Sequence, residues 1–226
     1  MNKSHSISTR IPAGLLPGLA ILLLGFATTL AAQNPASEIA WQHTGRAYVD
    51  FSTYKAVYVG YMIHINGIPN PLFSGGPSEQ NAYFTFSTTF DLTPFNNGPI
   101  TIFLVSPGTV NIYYHASPSN DWSDPDTFSS GELIGTIRRQ ETFFPIVGPI
   151  ALCNHSESLV YSRDFTFKGH TFNLNRLVPH GVTFSQVFSS TPMGGAGWGN
   201  YTAVFPSVGV VTAIGSKISS VGPSAN

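Results

Sequence analysis

The stretch KAVYVGYMIHI, Lys55–Ile65, alternates between two sets of side chains along its whole length. One of its faces carries five large apolar residues, Val57, Val59, Tyr61, Ile63 and Ile65. A second stretch, AYFTFSTTF at residues 82–90, places Phe84, Phe86 and Phe90 on one face and mostly Thr and Ser on the other. Because successive side chains of a strand point to opposite faces, both stretches are predicted as strands with one buried face.

Outward from these two stretches, the chain repeats runs of β-branched and aromatic residues that end at Gly, Pro, Asn or Ser. Besides the first two, the runs cover residues 46–51, 100–105, 109–115, 132–138, 159–167, 182–188, 201–205 and 208–214. The turn Ser106-Pro107-Gly108 predicts a hairpin over residues 100–115. The sequence therefore predicts an all-β fold with a single antiparallel domain. The meander-like succession of strands favours a barrel over a two-sheet sandwich.

The amino terminus has the order of a secretory signal peptide. Lys3 and Arg10 are followed by an apolar run and then by small residues that end at Ala32. We expect residues 1–32 to be removed and residues 33–226 to form a secreted β domain, either periplasmic or extracellular. The apolar run is short for a membrane span, so we expect no span after cleavage.

Charge is sparse and balanced in the predicted mature domain. Without Lys3 and Arg10, eight of the ten basic residues remain against eleven acidic ones. This weak negative charge gives no reason to expect binding to nucleic acid or to an anionic membrane. Cys153 is the only cysteine, so an internal disulfide is impossible, and we interpret it as a small buried side chain.

Arg163 interrupts an apolar strand face in the run at residues 159–167. Strict alternation would place it beside Leu159, Tyr161, Phe165 and Phe167. A charge on such a face must be paired or must meet a ligand, since burying it alone costs several kcal/mol. One interpretation is an anchor for a polar ligand group in a pocket. The alternatives, which we favour, are an internal ion pair with Glu132 or Glu141 and a bulge that turns Arg163 outward.

Two histidines and two tryptophans are further candidates for ligand binding. His64 and His115 each end a predicted strand, where they could face a barrel mouth. Trp122 and Trp198 lie on two long loops, residues 116–131 and 189–200. Exposed loop tryptophans can stack on sugars or on apolar ligands. We favour the alternative that each tryptophan plugs one end of the barrel, because large aromatic side chains are usually buried.

Three carboxylates lie within six residues at Asp121, Asp124 and Asp126. Calcium prefers such oxygen ligands. However, Pro125 occupies a position where a ligand would be needed, and the order is not that of an EF-hand loop. We favour turn-forming hydrogen bonds in a solvated loop and expect no cofactor, with calcium as the alternative.

The sequence favours a binding module over an enzyme. It contains neither a Gly-x-Ser-x-Gly nor a His-Glu-x-x-His motif, and the closeness of Cys153 to His155 in the chain is poor evidence for catalysis. We expect a pocket at one barrel end that takes a small, partly apolar ligand. The first alternative is a surface module that binds carbohydrate or protein through Trp122 and Trp198. The second is a barrel cyclase or hydrolase that uses the same pocket.

Overall fold

The structure is a computed structural model that describes residues 38–195 and 197–215; the predicted signal peptide lies outside these residues. Its strands are β1 (Ile39–Asp50), β2 (Lys55–Ile65), β3 (Phe84–Asn97), β4 (Ile100–Val105), β5 (Gly108–Tyr114), β6 (Glu132–Arg139), β7 (Thr142–Val147), β8 (Ile150–Ser162), β9 (Asp164–Phe167), β10 (His170–Asn173), β11 (Val182–Ser189) and β12 (Ala203–Ala213). A helical turn α1 (Leu174–Leu177) and the 3₁₀ turns Glu79–Asn81 and Pro125–Ser129 complete the described elements. Within the described ranges, no helix is long and apolar enough to cross a membrane.

The strands close into an antiparallel barrel with eight strand positions around the ring. β1 pairs with β2 and with β12, β12 pairs with β11, and β11 pairs with β8. Two ring positions are each shared by two strands: β4 and β5 both pair with β3, and β6 and β7 both pair with β8. The predictions of an all-β fold and of a barrel are confirmed.

The predicted hairpin over residues 100–115 is wrong. β4 pairs with the second half of β3 and β5 with its first half, so that β4 and β5 together follow one side of β3. Ser106 and Pro107 break this line, and proline is suited to the break because it has no N–H for a ladder. Ser-Pro-Gly is common in hairpin turns, and local sequence alone does not distinguish a turn from such an interruption.

Two more strand predictions differ from the structure. Residues 201–205 and 208–214, predicted as two strands, form the single strand β12. In β2, alternation does not separate a buried face from an exposed one, because Val57 and Val59 are as well buried as Tyr58 and Met62. Tyr58 and Met62 line the barrel interior, whereas Val57 and Val59 belong to a separate apolar cluster. Ile63, predicted to be buried, is exposed.

One end of the barrel is filled with side chains, and we call it the closed end. The hairpin β9–β10 and the turn α1 follow β8 there. Their apolar side chains pack in the main core with Phe84 of β3 and Tyr114 of β5; these are Phe165, Phe167, Phe172, Leu174 and Leu177. Phe84 lies 5.7 Å from Phe165 and 5.1 Å from Phe167 between ring centroids. Such close edge-to-face packing leaves little space for a ligand.

The opposite end, which we call the open end, is bordered by two similar hairpins. The β3–β4 turn and the β7–β8 turn both contain Gly-Pro-Ile, at residues 98–100 and 148–150. Gly98 and Gly148 both adopt φ of +61°, a backbone conformation that favours glycine. β4 pairs with β7, so the two hairpins stand side by side.

Candidate functional site

The open end contains an apolar pocket of about 210 Å³, which we call the open-end pocket. Side chains from seven barrel strands, together with Phe51 and Ser190, form its wall. Its lining is Ala47, Val49, Phe51, Phe90, Leu92, Thr101, Phe103, Phe144, Ile146, Ala151, Phe188, Ser189, Ser190 and Phe205. Thr101, Ser189 and Ser190 are the only lining residues with polar side chains, so the pocket suits an apolar occupant.

A second, smaller space of about 30 Å³ lies in the barrel interior, and we call it the inner cavity. It shares Phe90, Phe144 and Phe188 with the open-end pocket, so these three rings border both spaces. The open-end pocket has three hydroxyl side chains, whereas the inner cavity is lined by seven polar side chains, among them charged and ionisable ones: His43, Tyr58, Thr88, Arg139, His155, Glu157 and Gln186. A volume of this size is enough for a water molecule or one small polar group.

β8 contributes three polar side chains to this region at every second residue. Cys153 Sγ lies 3.0 Å from His155 Nδ1, and His155 Nε2 lies 2.7 Å from Glu157 Oε1. The ring of His155 also stacks on Phe184 at 5.2 Å between centroids. Two-residue spacing on a strand aligns the three groups on one face, so β8 by itself builds a thiol–imidazole–carboxylate row.

The row has a definite direction of hydrogen bonding. Burial, with a contribution from the charge of Glu157, raises the pKa of Cys153 to about 12. The thiol is therefore protonated at neutral pH. His155 Nε2 faces a carboxylate, which only accepts, so Nε2 carries the ring proton and Nδ1 accepts the S–H of Cys153. A thiol with a raised pKa is a poor nucleophile, which argues against a cysteine-dependent reaction.

His43 lies on the inner face of β1 and is almost completely buried. Neither ring nitrogen has a hydrogen-bond partner within residues 38–195 and 197–215. Burial lowers the pKa of His43 from 6.5 to about 4, so the ring is neutral at physiological pH. Gly209 on the paired strand makes room for it, since a Cβ there would lie 2.5 Å from His43 Cε1.

Arg139 occupies the interruption between β4 and β5. Its guanidinium donates to the side chain of Thr88 and to the backbone oxygens of Thr89 and Ser106. It also lies over the ring of Phe90, 5.1 Å from the centroid. The guanidinium thus supplies donors to backbone oxygens beside the break at Ser106 and Pro107, and it places a positive charge beside the inner cavity.

Arg163 does not lie on the buried face that strict alternation predicts. It follows a break between β8 and β9, its side chain is 53% exposed, and it pairs with Glu132 at 3.1 Å. It is not among the residues that line the open-end pocket or the inner cavity. The structure therefore turns Arg163 outward, as one alternative predicted, and pairs it with Glu132 at the surface rather than in the interior.

His64 and His115 both lie near the closed end rather than at the mouth of the pocket. His64 is half-buried near the end of β2. His115 is buried, and its Nε2 lies 2.8 Å from Thr85 Oγ1, which also donates to the backbone oxygen of Phe128. Burial lowers the pKa of His115. This network ties the 3₁₀ turn at Phe128 to β3.

Trp122 and Trp198 do not plug the barrel ends, contrary to the favoured prediction. Both pack in a cluster apart from the main core, which we call the outer aromatic cluster. Its members are Tyr48, Val57, Val59, Phe128 and Val204, with Tyr61, Trp122, Trp198 and Tyr201 packed against them. Tyr48 donates to the backbone oxygen of Trp122 at 2.6 Å, and Trp198 stacks on Tyr201. The loops that carry the two tryptophans therefore cover one outer side of the barrel.

In the acidic loop, one carboxylate accepts a hydrogen bond from the loop's own backbone. Asp121 accepts a hydrogen bond from the N–H of Ser123 at 2.8 Å, which lowers its pKa. Asp124 precedes the 3₁₀ turn Pro125–Ser129, and Asp126 lies in its first turn. In the ranges that the structure describes, no group of three or more His, Cys, Asp or Glu side chains is placed to hold a metal ion.

None of the polar residues that line the inner cavity is among the predicted site residues. The signal for His155 and Glu157, together with the neighbouring Cys153, is present as alternation in the segment CNHSE, residues 153–157. The predicted strand begins only at Leu159, so this alternation falls outside the predicted strands. His43 and Gln186 lie far away in sequence and meet β8 only through strand pairing around the ring, where Gln186 is opposite Cys153.

No protein-family model matches the chain, and the comparisons with curated proteins and with solved structures find no match.

Proposed function

We propose that the protein is an exported, non-catalytic binding module that takes a small, largely apolar molecule into the open-end pocket. The observation that carries this proposal is an apolar space of about 210 Å³ inside one end of a barrel that is packed at the other. An apolar protein cavity of about 150 Å³ is enough to bind benzene. The pocket is therefore large enough for a molecule with about eight to ten carbon atoms.

The outer aromatic cluster supports the interior site over a carbohydrate surface. Arg46 lies over the ring of Trp122 at 4.4 Å, and Phe128 packs on Trp122 at 4.6 Å between centroids. Trp198 has Tyr201 stacked 5.4 Å away. A sugar that stacks on an indole needs a free ring face. In this cluster the protein's own side chains lie against a ring face of each indole, whereas no side chain fills the open-end pocket.

The proposal is tested by titration with N-phenylnaphthylamine, a neutral apolar dye that fluoresces when it leaves water. Its ten-carbon naphthyl group matches the size of the pocket, and its phenyl group extends through the open end of the barrel. We expect saturable binding to the mature chain. The variant Ala151→Phe, which places a ring in the pocket, should reduce the affinity at least about tenfold, which corresponds to about 1.4 kcal/mol. The matched control is Val208→Phe, the same kind of enlargement at an exposed position of β12, and it should bind the dye normally.

Two results would contradict the proposal: no dye binding to the folded chain, or equal binding by Ala151→Phe and Val208→Phe. Circular dichroism establishes that each variant folds. Should Ala151→Phe not fold, Ala47→Leu fills the pocket from β1 with a smaller change in volume. Export is tested separately, by the mass of the chain recovered outside the cytoplasm, which we expect to lack residues 1–32.

A further inference from the structure

The inner cavity contains a carboxylate whose capacity to accept hydrogen bonds is only partly used. The side chain of Glu157 is completely buried, and His155 Nε2 contacts Oε1 at 2.7 Å. Even so, neither carboxylate oxygen receives a well-directed hydrogen bond from residues 38–195 or 197–215. A buried carboxylate oxygen without a hydrogen bond is costly, so Oε2, which lacks the contact that His155 gives to Oε1, indicates a missing donor.

The neighbouring cation does not supply that donor. Arg139 makes four hydrogen bonds to Thr88, Thr89 and Ser106, so most of its N–H groups are already committed to the protein. It balances the charge of Glu157 without being free to bind an anionic ligand group. His43, which also lines the cavity, adds a neutral ring with one N–H and one acceptor nitrogen, both unpaired in the described residues.

We infer that the inner cavity binds the hydroxyl group of an amphipathic alcohol, with Glu157 accepting its hydrogen bond and the apolar body of the alcohol in the open-end pocket. This inference rests on the proposed function and specifies its ligand class. The two spaces share Phe90, Phe144 and Phe188, so the hydroxyl enters between these rings. One small polar group fits the cavity of about 30 Å³.

Other head groups fit the cavity less well. A carboxylate would bring a second negative charge beside Glu157, and Arg139 has little donor capacity left to compensate for it. A hydrocarbon would leave the acceptors of Glu157 unpaired. An ether carries an oxygen that accepts but cannot donate, so it would face Glu157 with the wrong polarity. A hydroxyl donates to Glu157 and can accept from the ring N–H of His43.

The test is displacement of N-phenylnaphthylamine from the unchanged protein by n-octanol and by methyl heptyl ether. These two molecules are isomers of nearly equal size and differ in the hydroxyl donor. We expect n-octanol to bind about tenfold more tightly than the ether, because hydrogen bonds to charged groups are among the stronger ones. Octanoate should be the weakest competitor of the three at neutral pH.

Glu157→Gln should bring n-octanol to within about threefold of the ether, because the acceptor loses its charge. Glu132→Gln is the matched control, since it makes the same change at a partly exposed glutamate on β6, and it should keep the full preference. If Glu157→Gln does not fold, the comparison of alcohol with ether in the unchanged protein still decides the inference.

Failure of this inference differs from failure of the proposed function. If the dye does not bind, the open-end pocket is not a binding site and both fail. If the dye binds but alcohol and ether displace it equally, the pocket stands and the role of Glu157 is overturned. Preferential binding of octanoate would also overturn it, in favour of Arg139 as the anchor for an anion.

Discussion

The two ends of the barrel are built on the same long strands and are completed in opposite ways. At the closed end, β9, β10 and α1 bring in five large apolar side chains that pack with Phe84 and Tyr114. At the open end, a comparable number of aromatic residues surrounds a space of about 210 Å³. Close packing gives stability, whereas an unfilled apolar space forgoes it. The difference separates a stabilising end from an end available to a ligand.

The sharpest way to break this comparison is to delete one ring at each end. Phe165→Ala at the closed end should lower the free energy of unfolding by about 3–5 kcal/mol, because it opens a cavity in packed surroundings. Phe103 lines the open-end pocket, where a space already exists. Phe103→Ala should therefore lower the free energy of unfolding by less than half as much as Phe165→Ala. Urea unfolding measures both values. Equal losses would show that the two ends are packed equally well.

The pH dependence of the free energy of unfolding tests whether water is excluded from the inner cavity as it is from the closed end. The pKa of His43 is about 4 in the folded chain, lowered by burial from 6.5. Above pH 6.5 His43 is neutral in both the folded and the unfolded chain, so its burial carries no pH-dependent cost and stability is at its full value. As the pH falls from 6.5 to 4, the unfolded chain takes up the proton first, and stability decreases by up to about 3 kcal/mol.

Unfolding free energies at pH 7 and pH 4 test this expectation against His43→Gln, which cannot titrate at that position and should lose less. The matched control is His180→Gln at an exposed site, which should follow the unchanged protein. A water-filled inner cavity would solvate the His43 cation, and then the two variants would show the same pH dependence.

The smallest effect is expected at the surface near the closed end. Arg163→Ala removes an exposed pair with Glu132, and such pairs contribute about 0–1 kcal/mol. Binding of N-phenylnaphthylamine should not change, because Arg163 lines neither the pocket nor the inner cavity. A marked loss of dye binding with little loss of stability would instead support the ligand anchor that alternation first suggested.

Alternation of apolar and polar residues identifies single strands, and many such strands in succession predicted the all-β fold class and the barrel. The same signal failed at Arg163, where the break after Ser162 changes the face. The turn signal failed at Ser106-Pro107-Gly108, because the same turn residues suit both a hairpin and an interrupted strand. Such local breaks depend on neighbouring strands, which the sequence of one segment does not contain.

The candidate site was less predictable than the fold. Glu157, His43 and Arg139 come from three different strands, and ring closure brings them to one cavity. The loop residues that drew attention in the sequence, Trp122 and Trp198, support the barrel from outside. Whether a loop tryptophan is exposed and whether a strand glutamate is buried both depend on contacts with residues far away in the sequence. Composition and local pattern do not contain that information.

Closure of the ring also protects this chain against aggregation through exposed strand edges. Only 9% of its residues are charged, so electrostatic repulsion and edge lysines, the usual protection of exposed strands, are scarce. In a ring where β8 pairs with β11 and β12 pairs with β1, each of these strands has neighbours on both sides. Their backbone hydrogen-bonding groups face one another rather than a passing β-strand. Ring closure therefore gives the protection against edge-to-edge association that charged residues give in open sheets. A surface with few charges is compatible with this fold.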